Sequence, residues 1–401
     1  MKNKTCLVCG TPNPTEYLDL GNQPLANSYH HGEPLERFPL KICLCHHCWH
    51  SQLSESVPPE KMFEHYLYIS DTSKTLTDYF QWVTDYILAK RPKPNNVLEI
   101  ASNSGLLLEM FSKRGIQAYG VDPAKNLEPL AKSRGLEVFV EYWNAKSAKK
   151  IKKKIGGVDL ILAFHVLPHV QDPNDFIQSC ISMLRPNGEI FIQTSQCDMF
   201  KNGEFDVIYH EHSSYFTANS IRELAHRNGL YVSSIIKTDI HGKSFLFSLT
   251  RTPCDEDQLD SLMLEEAQTG IYSPAFYREF SNKAFVVREA WTKGLERLIN
   301  DGYTLIGYGA AAKGNTLLNF AYTKLSYIVD DNPMKHGYLT PGMDIRIESL
   351  DGIINTNFEK ICWIPLAWNF YDEIVGRIKV VRDTKNDIFV RYFPEYREQK
   401  E

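Results

Sequence analysis

The sequence has 401 residues, 43% of them hydrophobic and 12% aromatic, and a formal net charge of −5. That length allows about two to three domains with sizeable cores, and the mild acidity gives no electrostatic reason to expect nucleic acid or an anionic membrane as partner. No apolar run approaches the roughly 18 residues that cross a bilayer, and the start Met1-Lys2-Asn3-Lys4-Thr5-Cys6 lacks the apolar stretch of a signal peptide, so a cytoplasmic, monomeric protein is expected.

Residues 1–60 read as a module of short strands and turns, rich in Cys, Pro, Gly and Asn. Five of the nine cysteines fall in the first 48 residues, a clustering that points to metal rather than disulfides. Cys6-x-x-Cys9 and Cys45-x-x-Cys48 are two pairs with 35 residues between them. Zn²⁺ favours four soft ligands in a tetrahedron, and each such turn presents two thiolates to one ion. A closed set of four leaves no open position for catalysis, so the expected role is folding. Cys43, His46, His47 and His50 lie near enough to substitute for a ligand.

From about 60 to 90 the pattern is helical, with Phe80, Val83, Ile87 and Leu88 at helical spacing before Arg91-Pro92-Lys93-Pro94. Strands and helices then alternate. Strands are expected at 97–100, 118–122, 160–163, 189–192 and 244–249, with helices opening at Gly105 and over about 217–229. A long helix over 273–300 places Phe280, Ala284, Val287, Trp291, Leu295 and Leu298 on one face. A second strand–Gly–helix unit opens at Thr304, and further strands follow at 326–329, 361–364 and 388–391. Such alternation implies parallel, doubly wound sheets. The expected architecture is α/β: a zinc module (1–60), a Rossmann-like cofactor domain (61–252) and a second Rossmann-like α/β domain (253–401).

The stretch Val97 to Gly105 is a strand running into a tight turn and a helix start, where Ala101, Ser102 and Asn103 let the backbone approach a ligand. Asp122 ends the next strand, placed to accept the ribose hydroxyls of an adenosine. The same geometry serves dinucleotides, but the turn lacks G-x-G-x-x-G. The succession through Gly157-Val-Asp-Leu-Ile-Leu-Ala163 and Leu184-Arg-Pro-Asn-Gly-Glu189 resembles the class I methyltransferases, which use S-adenosylmethionine. On that resemblance Glu99, Ala101, Ser102, Asn103, Gly105, Asp122, Pro123, Ala163 and His165 form the cofactor site.

Ile208-Tyr-His-Glu-His-Ser-Ser-Tyr-Phe216 is the densest group of ionisable and aromatic residues. His, Glu and Tyr can take a proton and hold an oxyanion. His210 and His212 lie two apart, on opposite faces of an extended segment, which argues against their sharing a metal ion. With Leu20-Gly21-x-x-Pro24-Leu-Ala-Asn27, Tyr66-x-Tyr68-x-Ser70, His165-x-x-x-His169, Tyr209-x-Glu211-His212, Gly307-Tyr-Gly-Ala-Ala-Ala-Lys313-Gly-Asn315-Thr316 and Trp368-Asn-Phe370, nearly the whole chain resembles the sugar C-3′-methyltransferases that act on nucleotide-linked 4-keto deoxysugars.

That resemblance implies methylation of C3 through an enolate. His212 is the favoured base, with Tyr209 and Glu211 beside it and His169 and Tyr68 facing the sugar. His169 stays open as the alternative base. Tyr66, His241, Lys313 and Asn315 are implied sugar-nucleotide contacts, with dTDP or GDP as the expected carrier. A Gly- and Ala-rich turn with Lys313 could equally be a phosphate cradle or a tight packing turn. The sequence departs from the family at Ala101 (usually Gly), Ser104 (usually Asp), His165 (usually Asn) and Lys243 (usually Gly). O- or N-methylation of a small molecule is the alternative reaction, and a non-catalytic zinc-containing binding protein the alternative class.

Overall fold

The computed structural model describes residues 2–63, 74–91, 93–195, 197–240 and 242–400. Tyr66, Tyr68 and His241 lie outside the described residues. The chain packs into two compact units, each assembled from separated stretches. The first comprises Met1–Thr15, Leu44–Asp198 and Glu211–Tyr272, and the second Glu16–Cys43, Met199–His210 and Ser273–Glu401. Sequence order suggested the consecutive segments 1–60, 61–252 and 253–401, whereas packing interleaves the chain. The reason is that early apolar and polar groups find late partners. Tyr17 packs edge-on against Tyr277 and Phe280 at 5.1 and 6.3 Å, and Asn315 Nδ2 donates to the Ala26 carbonyl at 2.8 Å.

The first unit is built on a seven-stranded sheet. Its strands in chain order are Asn96–Ile100, Gln117–Val121, Glu137–Phe139, Val158–Phe164, Leu184–Ser195, Tyr231–Thr238 and Ser244–Thr250. Across the sheet they run 3-2-1-4-5-7-6: the first five are parallel in the doubly wound order, and the last two add as an antiparallel hairpin. Asn96–Ile100 is buried at every position, as expected of a parallel strand covered on both faces. The helix Lys74–Lys90 covers one face with Leu76, Phe80, Val83 and Ile87. The helix Ala218–Arg227 starts at a reciprocal cap between Thr217 and Ser220. A further helix, Asp257–Thr269, was not anticipated.

The second unit carries a six-stranded sheet of Thr304–Tyr308, Tyr327–Val329, Ile347–Glu348, Ile361–Pro365, Ile388–Arg391 and Arg397–Gln399. Their order is 3-2-1-4-5-6, parallel except for the last strand. The long helix Pro274–Asn300 begins with Ser273 Oγ accepting from the Phe276 N–H and Pro274 at its first position. Its buried stripe includes all six apolar residues read from the sequence. Among the described residues no helix is long and apolar enough to cross a membrane.

Candidate functional site

The four cysteines meet in the first unit. Their Sγ atoms all lie within 4.8 Å of one another, with Cys6–Cys48 at 3.6 Å and Cys9–Cys45 at 3.5 Å. A Zn–S distance near 2.3 Å gives a tetrahedral edge of about 3.8 Å, so the donor set fits the ion. The sulfurs otherwise compete for protons: hydrogen bonding to Cys45 pushes Cys6 up to about 12, and pulls Cys45 itself far down. The two turns are alike. Gly10 N donates to the Cys6 carbonyl and Trp49 N to the Cys45 carbonyl, each at 2.9 Å, and Gly10 and Trp49 both take a left-handed φ, 77° and 59°. The helix Ala218–Arg227 ties to both turns, Asn219 through the Cys48 carbonyl and Arg227 through the Cys9 carbonyl.

A cavity of about 540 Å³ opens at the carboxyl ends of the first and fourth strands of the first sheet. This is the switch point where doubly wound sheets take ligands, and the volume suits a nucleoside-sized molecule. Glu99, Ala101, Ser102, Asn103, Asp122, Pro123 and His165 line it. Gly105 and Ala163 do not. Ala163 is fully buried in its strand. Gly105 shapes the turn, with φ 80° and no room for a Cβ, which would stand 2.5 Å from Leu136 Cδ1.

Asp122 Oδ2 accepts from the Asn103 N–H and Oδ1 from the Ala124 N–H, both at 2.8 Å. A carboxylate oxygen has two lone-pair positions, so each retains one for a ligand hydroxyl. Glu99 Oε2 and Ser102 Oγ are buried without a hydrogen-bond partner among the described residues. Two such orphans in a cavity wall fit a polar ligand. Burial, with the Asp122 charge, pushes Glu99 well above the usual carboxylate range, and burial raises Asp122. Ala101, Asn103 and His165 all take left-handed φ, 58°, 50° and 55°, which places backbone strain on the cavity rim. Glu141–Asn144 and Gln171, Asp172, Asp175 and Phe176 also line the cavity and were missed.

His169 lines the same cavity. Its Nδ1 lies 2.8 Å from the Glu211 carbonyl. A carbonyl only accepts, so the neutral ring carries its proton on Nδ1. Burial pushes His169 down to about 4, which keeps it neutral near pH 7. The buried His212 ring stands 4.8 Å from that of His169 and 6.1 Å, edge-on, from Tyr215. His212 is not itself a lining residue. The division between units falls inside the motif. Glu211 and His212 belong to the first, Tyr209 and His210 to the second, where His210 Nε2 contacts the Phe38 carbonyl at 3.2 Å.

In the second unit the Gly307–Gly314 stretch joins the strand Thr304–Tyr308 to the helix Ala312–Phe320. Lys313 Nζ reaches Asn369 Oδ1 and lies 4.5 Å over the Trp368 ring. Burial lowers its pKa, against the pull of Asp206. The Asn315 amide is committed to the Ala26 backbone. In the first unit, Lys243 faces Asp198 at 3.8 Å.

Three family models match in succession: a zinc binding domain over residues 6–63, a methyltransferase domain over 73–235 and a C-methyltransferase C-terminal domain over 239–394. The C-methyltransferase NovU of Streptomyces niveus is 28% identical over 389 residues, which cover 93% of this chain and 92% of that one. The ubiquinone biosynthesis O-methyltransferase of Bordetella avium is 28% identical over 116 residues, 28% of this chain and 47% of that enzyme. Among solved structures, the magnesium protoporphyrin IX methyltransferase of Synechocystis PCC 6803 is 15% identical, with coverage of 44% of this chain and 79% of that one and a TM-score of 0.34. The plantazolicin methyltransferase BpumL is 13% identical, with coverage of 44% and 83% and a TM-score of 0.35.

Proposed function

The chain belongs to the S-adenosylmethionine-dependent C-methyltransferases, with a structural zinc ion on its four cysteines, and from that premise we propose that it methylates C3 of a nucleotide-linked 4-keto-6-deoxy sugar. The observation that carries this reading is His169 in the cavity wall with the buried His212 ring 4.8 Å from it. A C4 ketone acidifies the C3 proton, and a near-neutral base suffices to remove it. His212 takes that proton, and His169, held by the Glu211 carbonyl, faces the sugar, for which Tyr68 is a further candidate contact. Glu211 precedes the base in the chain, and Tyr209 is the candidate donor to the enolate oxygen. S-adenosylmethionine supplies the electrophilic methyl group. Asp122 holds its ribose, while Glu99, Ser102, Asn103 and His165 line its seat, and alignment with the C3 carbanion governs the rate. Lys313 and the turn before it are the second unit's candidate contacts for the diphosphate of a dTDP or GDP carrier.

The test is incubation with dTDP-4-keto-6-deoxyglucose and GDP-4-keto-6-deoxymannose in D₂O. Deuterium should enter C3, and added cofactor should give a mass gain of a single methyl group on carbon. A methylated product that keeps a hydrogen isotope on C3 would assign the enzyme to oxygen instead, because methylation of C3 removes its one hydrogen. His212→Asn should retain cofactor binding and lose most turnover. Near-normal turnover in that variant moves the base role to His169.

A further inference from the structure

Asp206 is a carboxylate with no solvent exposure. Its Oδ2 accepts from Trp368 Nε1 and from the Tyr392 hydroxyl, both at 2.8 Å. Trp368 follows the strand Ile361–Pro365 and Tyr392 follows Ile388–Arg391. Asp206 therefore stands at the carboxyl edge of the second sheet, the place where a doubly wound sheet takes a ligand. Here the chain's own side chain takes it.

A buried carboxylate is a poor stabiliser, since apolar replacements of similar volume are often neutral or better. Position explains it better than stability does. From 206 to 210 burial alternates residue by residue: Asp206, Ile208 and His210 are buried, Val207 and Tyr209 half-buried. The three buried residues are each fixed within the second unit. Asp206 is held as above, the Ile208 carbonyl accepts from Thr316 Oγ1 at 3.2 Å, and His210 contacts the Phe38 carbonyl and ring. Asp206 thus fixes the short 3-10 turn Phe205–Val207, and the backbone that leads from it to Tyr209 starts from a held point.

We propose that Asp206 is a positioning residue, anchoring within the second unit the lead-in that carries Tyr209. The consequence for turnover rests on the catalytic reading of that segment above, whereas the anchor itself does not. Full-length Asp206→Ala and Asp206→Asn are compared with wild type by amide hydrogen exchange over residues 207–212 and by kinetics on the two keto sugars. Asp206→Ala should speed exchange in that segment by about tenfold or more. It should lower kcat about 10- to 100-fold and leave the KM for cofactor within about twofold, because the cofactor cavity lies in the first unit. Asp206→Asn keeps the volume and an acceptor oxygen and should recover most of kcat, whereas Asp206→Leu fills the space without an acceptor and should not.

A folded Asp206→Ala with wild-type kcat and protected 207–212 overturns the proposal. If that variant does not fold, Trp368→Phe with Tyr392→Phe removes both donors and keeps the rings. Unchanged exchange and kcat there overturn it equally. Should wild type act on neither sugar, the exchange result still decides the anchor, and the substrate reading alone fails.

Discussion

Gly105→Ala puts a methyl group where the structure has least tolerance for one. Gly105 has φ 80°, and its added Cβ would stand 2.5 Å from Leu136 Cδ1 and 3.5 Å from Ala131 Cβ. The left-handed conformation costs a non-glycine residue about 1–2 kcal/mol. Stiffening of the unfolded chain returns about 0.4–1 kcal/mol. Leu136 is buried within the same core as Leu106 and Leu107, so it cannot swing clear, and overpacking adds about 1–3 kcal/mol. The net is a destabilisation of about 3 kcal/mol. Urea unfolding, read by hydrogen exchange of the helix Leu106–Ser112, measures it. Calorimetry with S-adenosylmethionine should show affinity falling with it, because the adjoining turn carries Ser102 and Asn103. In a Leu136→Ala background, which carries its own cavity cost, Gly105→Ala should cost only the backbone share. A loss under about 0.5 kcal/mol with unchanged affinity would refute the strain argument.

The converse substitution, Ala101→Gly, relieves a left-handed alanine with φ 58° and should stabilise by about 0.5–1 kcal/mol in the same urea assay. A destabilised variant would show that the rim is not strained. Glu266 accepts from the Ala218 N–H through both oxygens at 2.9 Å and from the Tyr272 hydroxyl, and burial pushes it up to about 7. The fold thus favours its protonated form. That contribution, about 3 kcal/mol, is complete below the unfolded pKa of 4.5 and lost as pH rises through 7. Glu266→Gln should flatten the decline in unfolding free energy between pH 5 and pH 8, and an unchanged slope would place the titration elsewhere. Metal analysis should find a single zinc ion per chain, absent in Cys6→Ser. Stripping it should lower the unfolding midpoint and release the helix Ala218–Arg227 from the Cys9 and Cys48 carbonyls, whereas an unchanged midpoint would deny zinc its structural role.

The sequence disclosed what is local. Ser273-Pro274 marks a helix start by its own chemistry, and the strand at 97–100 and the four cysteines announce themselves by apolar run and spacing. What escaped depends on distant partners. The helix Asp257–Thr269 buries little beyond Leu259 and Glu266, so no apolar period reveals it. Glu141–Asn144 and the residues Gln171, Asp172, Asp175 and Phe176 reach the cavity because strand order gathers the segments after strands three and four, and neither group carries a local signal. Thr15–Pro24 reads as Gly, Asn and Pro turns, yet it forms a ten-residue strand beside Arg37–Leu44, and its side chains Tyr17 and Gln23 find partners at Tyr277 and Thr316, far along the chain.

That last fact sets a timetable for synthesis. Ala26 waits for Asn315, 289 residues later, a delay on the order of 15–60 s at ribosomal rates of about 5–20 residues per second. Meanwhile the first unit acquires all its parts by residue 272 and can close around zinc while the strands from 16 to 43 still hang unpacked. Such far-separated pairings fold slowly and leave apolar edges open to other chains. The nascent protein, more than the finished enzyme, is where a holding chaperone would be needed.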